Sequence, residues 1–534
     1  WALPATIVAV ALLALTLRLH RIDHLNLSLD EAFTLFFSSA PWSSLWGETT
    51  RHEVQPPLYF ALVKLFGGAS EAALRMPSAV MGALGVAVTF IAGLLAGGSK
   101  GRLVGLVAAL IAATSLVQVQ IGQTARHYSM FVLATAVALA GLFAMFNVAG
   151  RASSALAKST GQQRGRLVTI SMAITAFGVA WILWAHNVGV VYVISLGAAA
   201  LVAWALFEQR DATLFFRLAL AGAAALALWS PAIPVFVAQL NSISGSYWIA
   251  DPTVQSILLI ARRNYGVTHD AGLPLVVQAA LCLAIGLTAA WGAYSMWRDG
   301  RKSIALICAV AAVAPFLLLT AYSVFVTPVL ILRVVVPTFV PWVILIGYGV
   351  ASAPATIWRV ALSAILLGAF SAGLTRFYLQ VGEPWRAIAQ SIAEQSEGTA
   401  VVFTVPNSSA LPLSYYADQL DTPLQVVPIP DRFPAVEDAY AYPTGVQGVP
   451  GIEASGLARI DQAIAQYPDA TFWITLRGYP IYDPEGLLKR HLDQRFCTIR
   501  IDDGSIWYMS VLKLVPLESA EAVRCSPQND NLHY

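Results

Sequence analysis

The residues with the most chemical potential come early in the chain: Asn26 to Thr34 brings two adjacent carboxylates, Asp30 and Glu31, directly after the first apolar run. Neighbouring side chains on a helix point about 100° apart, so one carboxylate can face a reacting group while a backbone amide, a basic side chain or a metal holds the other. A carboxylate so placed can take the proton of an attacking hydroxyl. A plainer reading is also open, in which Ser28 or Asp30 caps an amphipathic helix. Further along, Arg51, His52, Glu53 and Gln55 form a polar group that stops at Pro56 and Pro57, just ahead of Tyr59. A histidine beside a carboxylate can hold a divalent metal or orient a phosphate. Arg75 opens the next apolar stretch, and Gln123, Arg126, His127 and Tyr128 form a turn between two such stretches. His186 ends another, Tyr247 and Trp248 precede Asp251, and Arg333 begins an apolar run that reaches Pro337. Arginine's planar donors match phosphate oxygens and keep their charge at any relevant pH. Rings such as Tyr59 and Trp248 can stack on the apolar face of a sugar.

The elements that must position these residues are membrane helices. Of 534 residues, 57% are hydrophobic and 12% are charged, about half the charged fraction of roughly 25% that a soluble domain uses to cover its surface. The chain is therefore polytopic. Its 32 basic and 30 acidic residues leave a formal charge of +2, which supplies no basic field for nucleic acid. Apolar stretches of spanning length occur near residues 2–19, 77–97, 103–121, 128–147, 168–185, 188–207, 214–235, 273–296, 304–324, 331–350 and 356–376, which predicts roughly eleven spans. The first lacks a small-residue cleavage site and reads as a retained helix.

Alternate loops collect Lys100 and Arg102, then Arg151, Lys158, Arg164 and Arg166, then Arg210 and Arg217, then Arg298, Arg301 and Lys302, then Arg359. The positive-inside rule makes that set cytoplasmic, with the N-terminus inside and the C-terminus outside. Nearly every candidate residue then falls at the external mouth. A pump would need ionisable groups near the bilayer midplane and related halves, and the sequence displays neither. The two expected domains are residues 1–376, a transmembrane domain with a catalytic first external loop from about 20 to 76, and residues 377–534, an external α/β domain. In the latter, strands at 399–405 and 470–476 interleave with helical runs near 384–396 and 454–466, and a Pro- and Gly-rich stretch at 425–456 reads as a long loop. Cys497 and Cys525 could pair in an oxidising compartment.

A one-sided group of carboxylates, arginines and aromatics suits a lipid phosphate whose tail stays in the bilayer. The quoted motifs, with Leu74, Pro77 and Ser78 around Arg75 and with Ala125 before Arg126, together resemble the GT-C superfamily of membrane glycosyltransferases. The similarity is to the bacterial branch related to protein O-mannosyltransferases and the lipid A aminoarabinose transferase, and it covers most of residues 20–345. It implies a GT-C-type helical bundle carrying an inverting transferase. Such an enzyme moves a pentose or hexose, mannose-like by preference, from a polyprenyl-phosphate donor to a lipid or cell-envelope glycan at the outer face of a plasma (inner) membrane. Asp30 would be the general base and Glu31 its supporting carboxylate. Arg75, Arg126, Tyr128, Arg333, Tyr59, His186 and Trp248 would bind the donor's phosphate and sugar. No cofactor is defined, and a divalent ion would have His52 and Glu53 as its ligands. The chain departs from many relatives at Thr124, where they carry a carboxylate, and it has no external β-trefoil insert. Membrane lipids are its surroundings, and nucleic acid is excluded as a partner. Two rival readings use the same composition: a flippase or transporter of lipid-linked sugars, and a non-catalytic envelope-assembly protein.

Overall fold

A computed structural model describes residues 2–46, 55–149, 161–243, 249–434, 449, 451–501, 508–519 and 525. The chain divides into two compact units. One comprises Trp1–His24, Gln55–Val237 and Ile249–Gln380; the other comprises Leu25–Val54, Ala238–Trp248 and Val381–Tyr534.

The first unit is a multi-pass membrane bundle. Among the described residues, nine helical stretches are long and apolar enough to cross a bilayer. The stretch Glu71–Thr114 is two helices, Glu71–Gly97 and Gly101–Thr114, folded back at Gly98–Lys100. With the shorter apolar helix Leu3–Leu19, these account for the eleven runs seen in the sequence. The two hairpin helices meet backbone to backbone: a Cβ on Gly93 would stand 2.8 Å from the Gly105 Cα. Glycine is what permits this approach, because helices in lipid associate through close van der Waals packing rather than through apolar burial. The bundle has a centre and a periphery. Tyr128–Val148 and Leu332–Ala351 are 89% and 94% buried over their apolar windows, whereas Ala212–Leu240 and Thr356–Phe377 are 17% buried. The outer helices turn side chains such as Phe216, Leu220 and Ile357 outward, as lipid-facing helices do.

One end of this bundle is tied by ordinary basic loops. Lys100 Nζ reaches Asp299 Oδ2 at 2.6 Å, the Tyr348 hydroxyl donates to the same oxygen at 2.6 Å, and Arg301 donates to Asn147 Oδ1 at 2.8 Å and to the Leu95 carbonyl at 2.7 Å. The hydrogen bond from Lys100, then that from Tyr348, holds the Asp299 carboxyl below its usual value.

The second unit is built on a five-stranded sheet: β1 (Ala400–Val405), β2 (Leu424–Pro428), β3 (Thr471–Arg477), β4 (Phe496–Arg500) and β5 (Met509–Pro516), in the order β2-β1-β3-β5-β4. Strands β1, β2 and β3 run parallel, and β5 is antiparallel to both β3 and β4. Strand alternation sends Val401, Phe403 and Val405 to the same face as Phe472, Ile474 and Leu476, into one core with Ile460 and Leu488 from the helices Ala454–Gln466 and Leu487–Asp493. The stretch from 425, expected as loop, begins as strand β2. Its apolar residues pair with the buried centre of the sheet, and that pairing overrides the local Pro-rich signal. Cys497 and Cys525 form a disulfide.

The loop Leu25–Val54 belongs to this second unit rather than to the bundle that flanks it in sequence. Asn26 N donates to the Val381 carbonyl at 3.2 Å, Asn26 Nδ2 donates to the Glu383 carbonyl at 3.0 Å, and Leu27 N donates to the Tyr416 hydroxyl at 2.8 Å. Phe33, Phe36 and Phe37 surround Phe433 with ring centroids 5.0, 5.3 and 6.3 Å away.

Candidate functional site

Two clusters carry the residues singled out by the sequence, one in each unit. In the second unit, Ser28 caps the helix Leu29–Ser39, and a full capping box forms: Glu31 N donates to Ser28 Oγ at 3.4 Å, while Ser28 N donates to Glu31 Oε2 at 3.0 Å. The Ser28 hydroxyl also donates to Glu31 Oε2, at 3.1 Å. The capping reading holds with Ser28 as the cap, and the capping box uses Glu31 and not Asp30. Glu31 is buried, Asp30 is half-buried, and both carboxylates lie in the first helical turn, where the helix dipole favours negative charge.

The backbone leading into this helix is held by a side-chain network that no local pattern announces. Glu383 accepts from Arg477 Nε at 3.0 Å and Nη2 at 2.8 Å, from the Tyr508 hydroxyl at 3.0 Å, and from Trp385 Nε1 at 2.9 Å. With its carbonyl receiving Asn26, Glu383 joins sheet, helix and carboxylate loop. Burial first, then the Glu383 charge, pushes the Tyr508 phenol up to about 12, so it remains a donor.

In the first unit, helix ends opposite the basic loops gather the other candidates. Arg75, in the second turn of Glu71–Gly97, is 1% exposed and donates to the Ile22 carbonyl at 2.8 Å; Ile22 stands eight residues before Asp30 in the sequence. About 30 Å of helix separates Arg75 from the turn that carries Lys100. Tyr59, fully buried, shares a 2.7 Å hydrogen bond with Ser78, whose hydroxyl donates to the Arg126 carbonyl at 2.9 Å. The helix Leu58–Phe66 and the start of Glu71–Gly97 thereby fix the Arg126 turn. The Arg333 guanidinium lies 5.7 Å from the centre of the Tyr128 ring, a cation–π distance. Next to them, His127 and His186 meet edge to face at 4.7 Å. Burial, then His186 and Arg126, holds the His127 imidazole well below its usual value, and burial followed by Arg126 holds His186 at about 3. Both rings are neutral at working pH.

Of the predicted residues, Arg75, Arg126, Tyr128, Arg333, Tyr59 and His186 come together at one end of the bundle, and Asp30 and Glu31 share the first turn of one helix in the other unit. His52, Glu53 and Trp248 lie outside the described residues. Among the described residues no group of three His, Cys, Asp or Glu side chains could hold a metal. Thr124 offers only a hydroxyl, which donates to the Gln120 carbonyl at 2.9 Å. Sequence reasoning placed Asn26 and Ser78 in motifs without giving them a role, and it missed Glu383, Tyr416, Arg477 and Tyr508. Their roles arise from pairings across tens to hundreds of residues; only the polar type of Ser78, within an apolar helix, hinted at a task.

This fold is the GT-C fold. It is similar to ArnT from Cupriavidus metallidurans in the apo state, at a TM-score of 0.56 with 14% identity over 95% of this chain and 97% of that one. The same ArnT bound to undecaprenyl phosphate matches at a TM-score of 0.50, with 16% identity and the same coverage. The oligosaccharyltransferase of Archaeoglobus fulgidus, tethered with an acceptor peptide containing the NVT sequon, matches at a TM-score of 0.51 with 10% identity over 96% of this chain and 74% of that one. No family model matches the sequence, nor does any curated protein.

Proposed function

We propose that this chain is an inverting glycosyltransferase. It moves a sugar, a mannose-like hexose or a pentose, from a polyprenyl-phosphate donor to a hydroxyl of a lipid or cell-envelope glycan. The observation that carries this reading is the convergence of Arg75, Arg126, Arg333 and Tyr128 at one end of a GT-C bundle, opposite the end where Lys100 and Tyr348 meet Asp299. ArnT of the same fold is known bound to undecaprenyl phosphate. The Ile22 carbonyl helps to fix the Arg75 guanidinium, a group whose planar donors match phosphate oxygens.

In the reaction, Asp30 accepts the proton of the acceptor hydroxyl. The acceptor oxygen forms its bond to the anomeric carbon on the face opposite the phosphate. The bond from that carbon to the phosphate oxygen breaks, and its electron pair leaves with the polyprenyl phosphate, whose charge the guanidiniums stabilise. Glu31, spent in the capping box, keeps Asp30 in the first turn. We assign the carboxylate loop and the sheet-bearing unit to the outer face of a plasma membrane, with the N-terminus inside. The disulfide, which persists in oxidising compartments, and the cations Lys100, Arg298, Arg301 and Lys302 at the other end of the bundle support that orientation.

The experiment is a transfer assay with the purified chain and its Asp30→Asn variant, a panel of polyprenyl-phosphate sugars and envelope extracts, read by mass spectrometry. A sugar-sized mass gain that requires Asp30 is the expected result. Donor binding with no transfer across the panel would turn the assignment toward lipid-linked sugar translocation.

A further inference from the structure

His127 is 1% exposed, and neither of its ring nitrogens has a hydrogen-bond partner in the structure. A buried donor or acceptor without a partner is costly, and such groups in folded proteins usually have an explanation. The ring sits within a set of aromatics: Tyr128 at 4.5 Å, His186 at 4.7 Å and Tyr59 at 6.3 Å between centroids. The Tyr59 hydroxyl is engaged with Ser78. His186 has a defined tautomer. Its Nδ1 accepts from Val188 N at 3.2 Å, so in a neutral ring the proton is on Nε2, which is left to donate. The two imidazoles together therefore present two N–H donors and one lone pair.

That inventory discriminates between ligand groups. A phosphate diester has only acceptor oxygens, so it can take the N–H donors but leaves the His127 lone pair unsatisfied and repelled. A hydroxyl both donates and accepts, and a pair of neighbouring hydroxyls can satisfy every open position at once. The adjacent Arg126 charge disfavours a third arrangement, in which the rings become cations and bind phosphate.

We propose that His127 and His186 form a sugar-reading pair, neutral imidazoles that hydrogen-bond the hydroxyls of the sugar carried by the polyprenyl phosphate and leave the phosphate itself to the arginines. This rests on the donor class proposed above and adds to it a division of labour: charge is recognised by Arg75, Arg126 and Arg333, and sugar identity by His127 and His186.

The test compares binding of undecaprenyl phosphate with binding of a panel of undecaprenyl-phosphate hexoses and pentoses, using the full chain in lipid nanodiscs and the variants His127→Phe, His127→Asn and His186→Phe. The sugar-bearing lipid should bind His127→Phe roughly tenfold or more weakly, the size of one lost hydrogen-bonding group. Bare undecaprenyl phosphate should bind within about twofold of wild type, and that retained affinity also certifies the fold. His127→Asn, which keeps one donor and one acceptor, should recover part of the loss. An equal loss for both lipids would put the imidazoles on the phosphate and overturn the proposal. No loss for either lipid would make the pair structural and overturn it as well. If His127→Phe fails to fold, full loss of sugar discrimination in His127→Asn and none in His186→Phe would likewise overturn it. Wild-type protein that binds neither lipid would instead sink the polyprenyl-phosphate reading itself, an outcome separate from the others.

Discussion

The two units solve the problem of holding polar groups in opposite ways. At the bundle end opposite the basic loops, cationic and amide side chains reach main-chain carbonyls: Arg75 that of Ile22, Arg18 those of Ala14, Ala112 and Ala113, and Gln123 those of Arg18 and His20. Helix ends leave such carbonyls without intrahelical partners, and a carbonyl fixes a guanidinium without neutralising it. In the sheet-bearing unit, side chains meet side chains: Glu383 collects Arg477, Tyr508 and Trp385, and Asp461 collects His491 at 2.9 Å and Arg495 at 2.7 Å. A bilayer makes unpaired backbone expensive, so it rewards the first solution. A wetted α/β domain can use the second. The difference is one of means: backbone oxygens fix these bundle side chains, whereas in the sheet-bearing unit side chains fix one another and, through Glu383, the carboxylate loop.

The largest expected effect separates those roles directly. Asp30→Asn should lower transfer by roughly 10² to 10⁴ with donor affinity unchanged, whereas Arg126→Ala should weaken donor binding measured by titration. Matching losses of affinity in both variants would erase the contrast. Next in size is Glu383→Gln. It removes the charge that three donors share, and it should cost about 2 kcal/mol of stability in thermal unfolding of the full chain and lower kcat more than donor affinity. An unchanged unfolding temperature would show that the network is not structural. Tyr416→Phe deletes the acceptor for Leu27 N and should cost about 1 kcal/mol, with a modest fall in kcat; a change confined to donor affinity would contradict a positioning role in the carboxylate loop.

The smallest effect is one of pH. His186, held at about 3, and His127, held well below its usual value, stay neutral between about pH 5 and 8, so donor affinity should be level across that window. Stability behaves differently. The unfolded imidazoles take up protons below about 6.5, whereas folded His186 resists until pH approaches 3 and folded His127 stays neutral well below its usual value, so their contribution is complete above about 6.5 and is lost progressively as pH falls. A donor-affinity transition near 6.5 would show that one of the rings titrates normally.

What the amino-acid sequence determined by itself is whatever depends on near neighbours. Membrane spans follow from uninterrupted apolar length, the helix at Leu29 from Ser28 and Glu31 three residues apart, and strands β1 and β3 from short β-branched and aromatic runs. The candidates Arg75, Arg126 and Arg333 were visible because a charge beside an apolar run is conspicuous on its own. Tertiary structure alone decided that the loop from Leu25 folds with a sheet more than 370 residues later, that Glu383 rather than a nearer carboxylate anchors it, and that Glu31 serves the cap. It alone brought His127 against His186, whose ring nitrogens acquire meaning only from what surrounds them. The reason is physical: a hydrogen bond between side chains fixes a distance in space, and nothing in the local pattern of either partner encodes which of many polar residues the fold will carry to that distance.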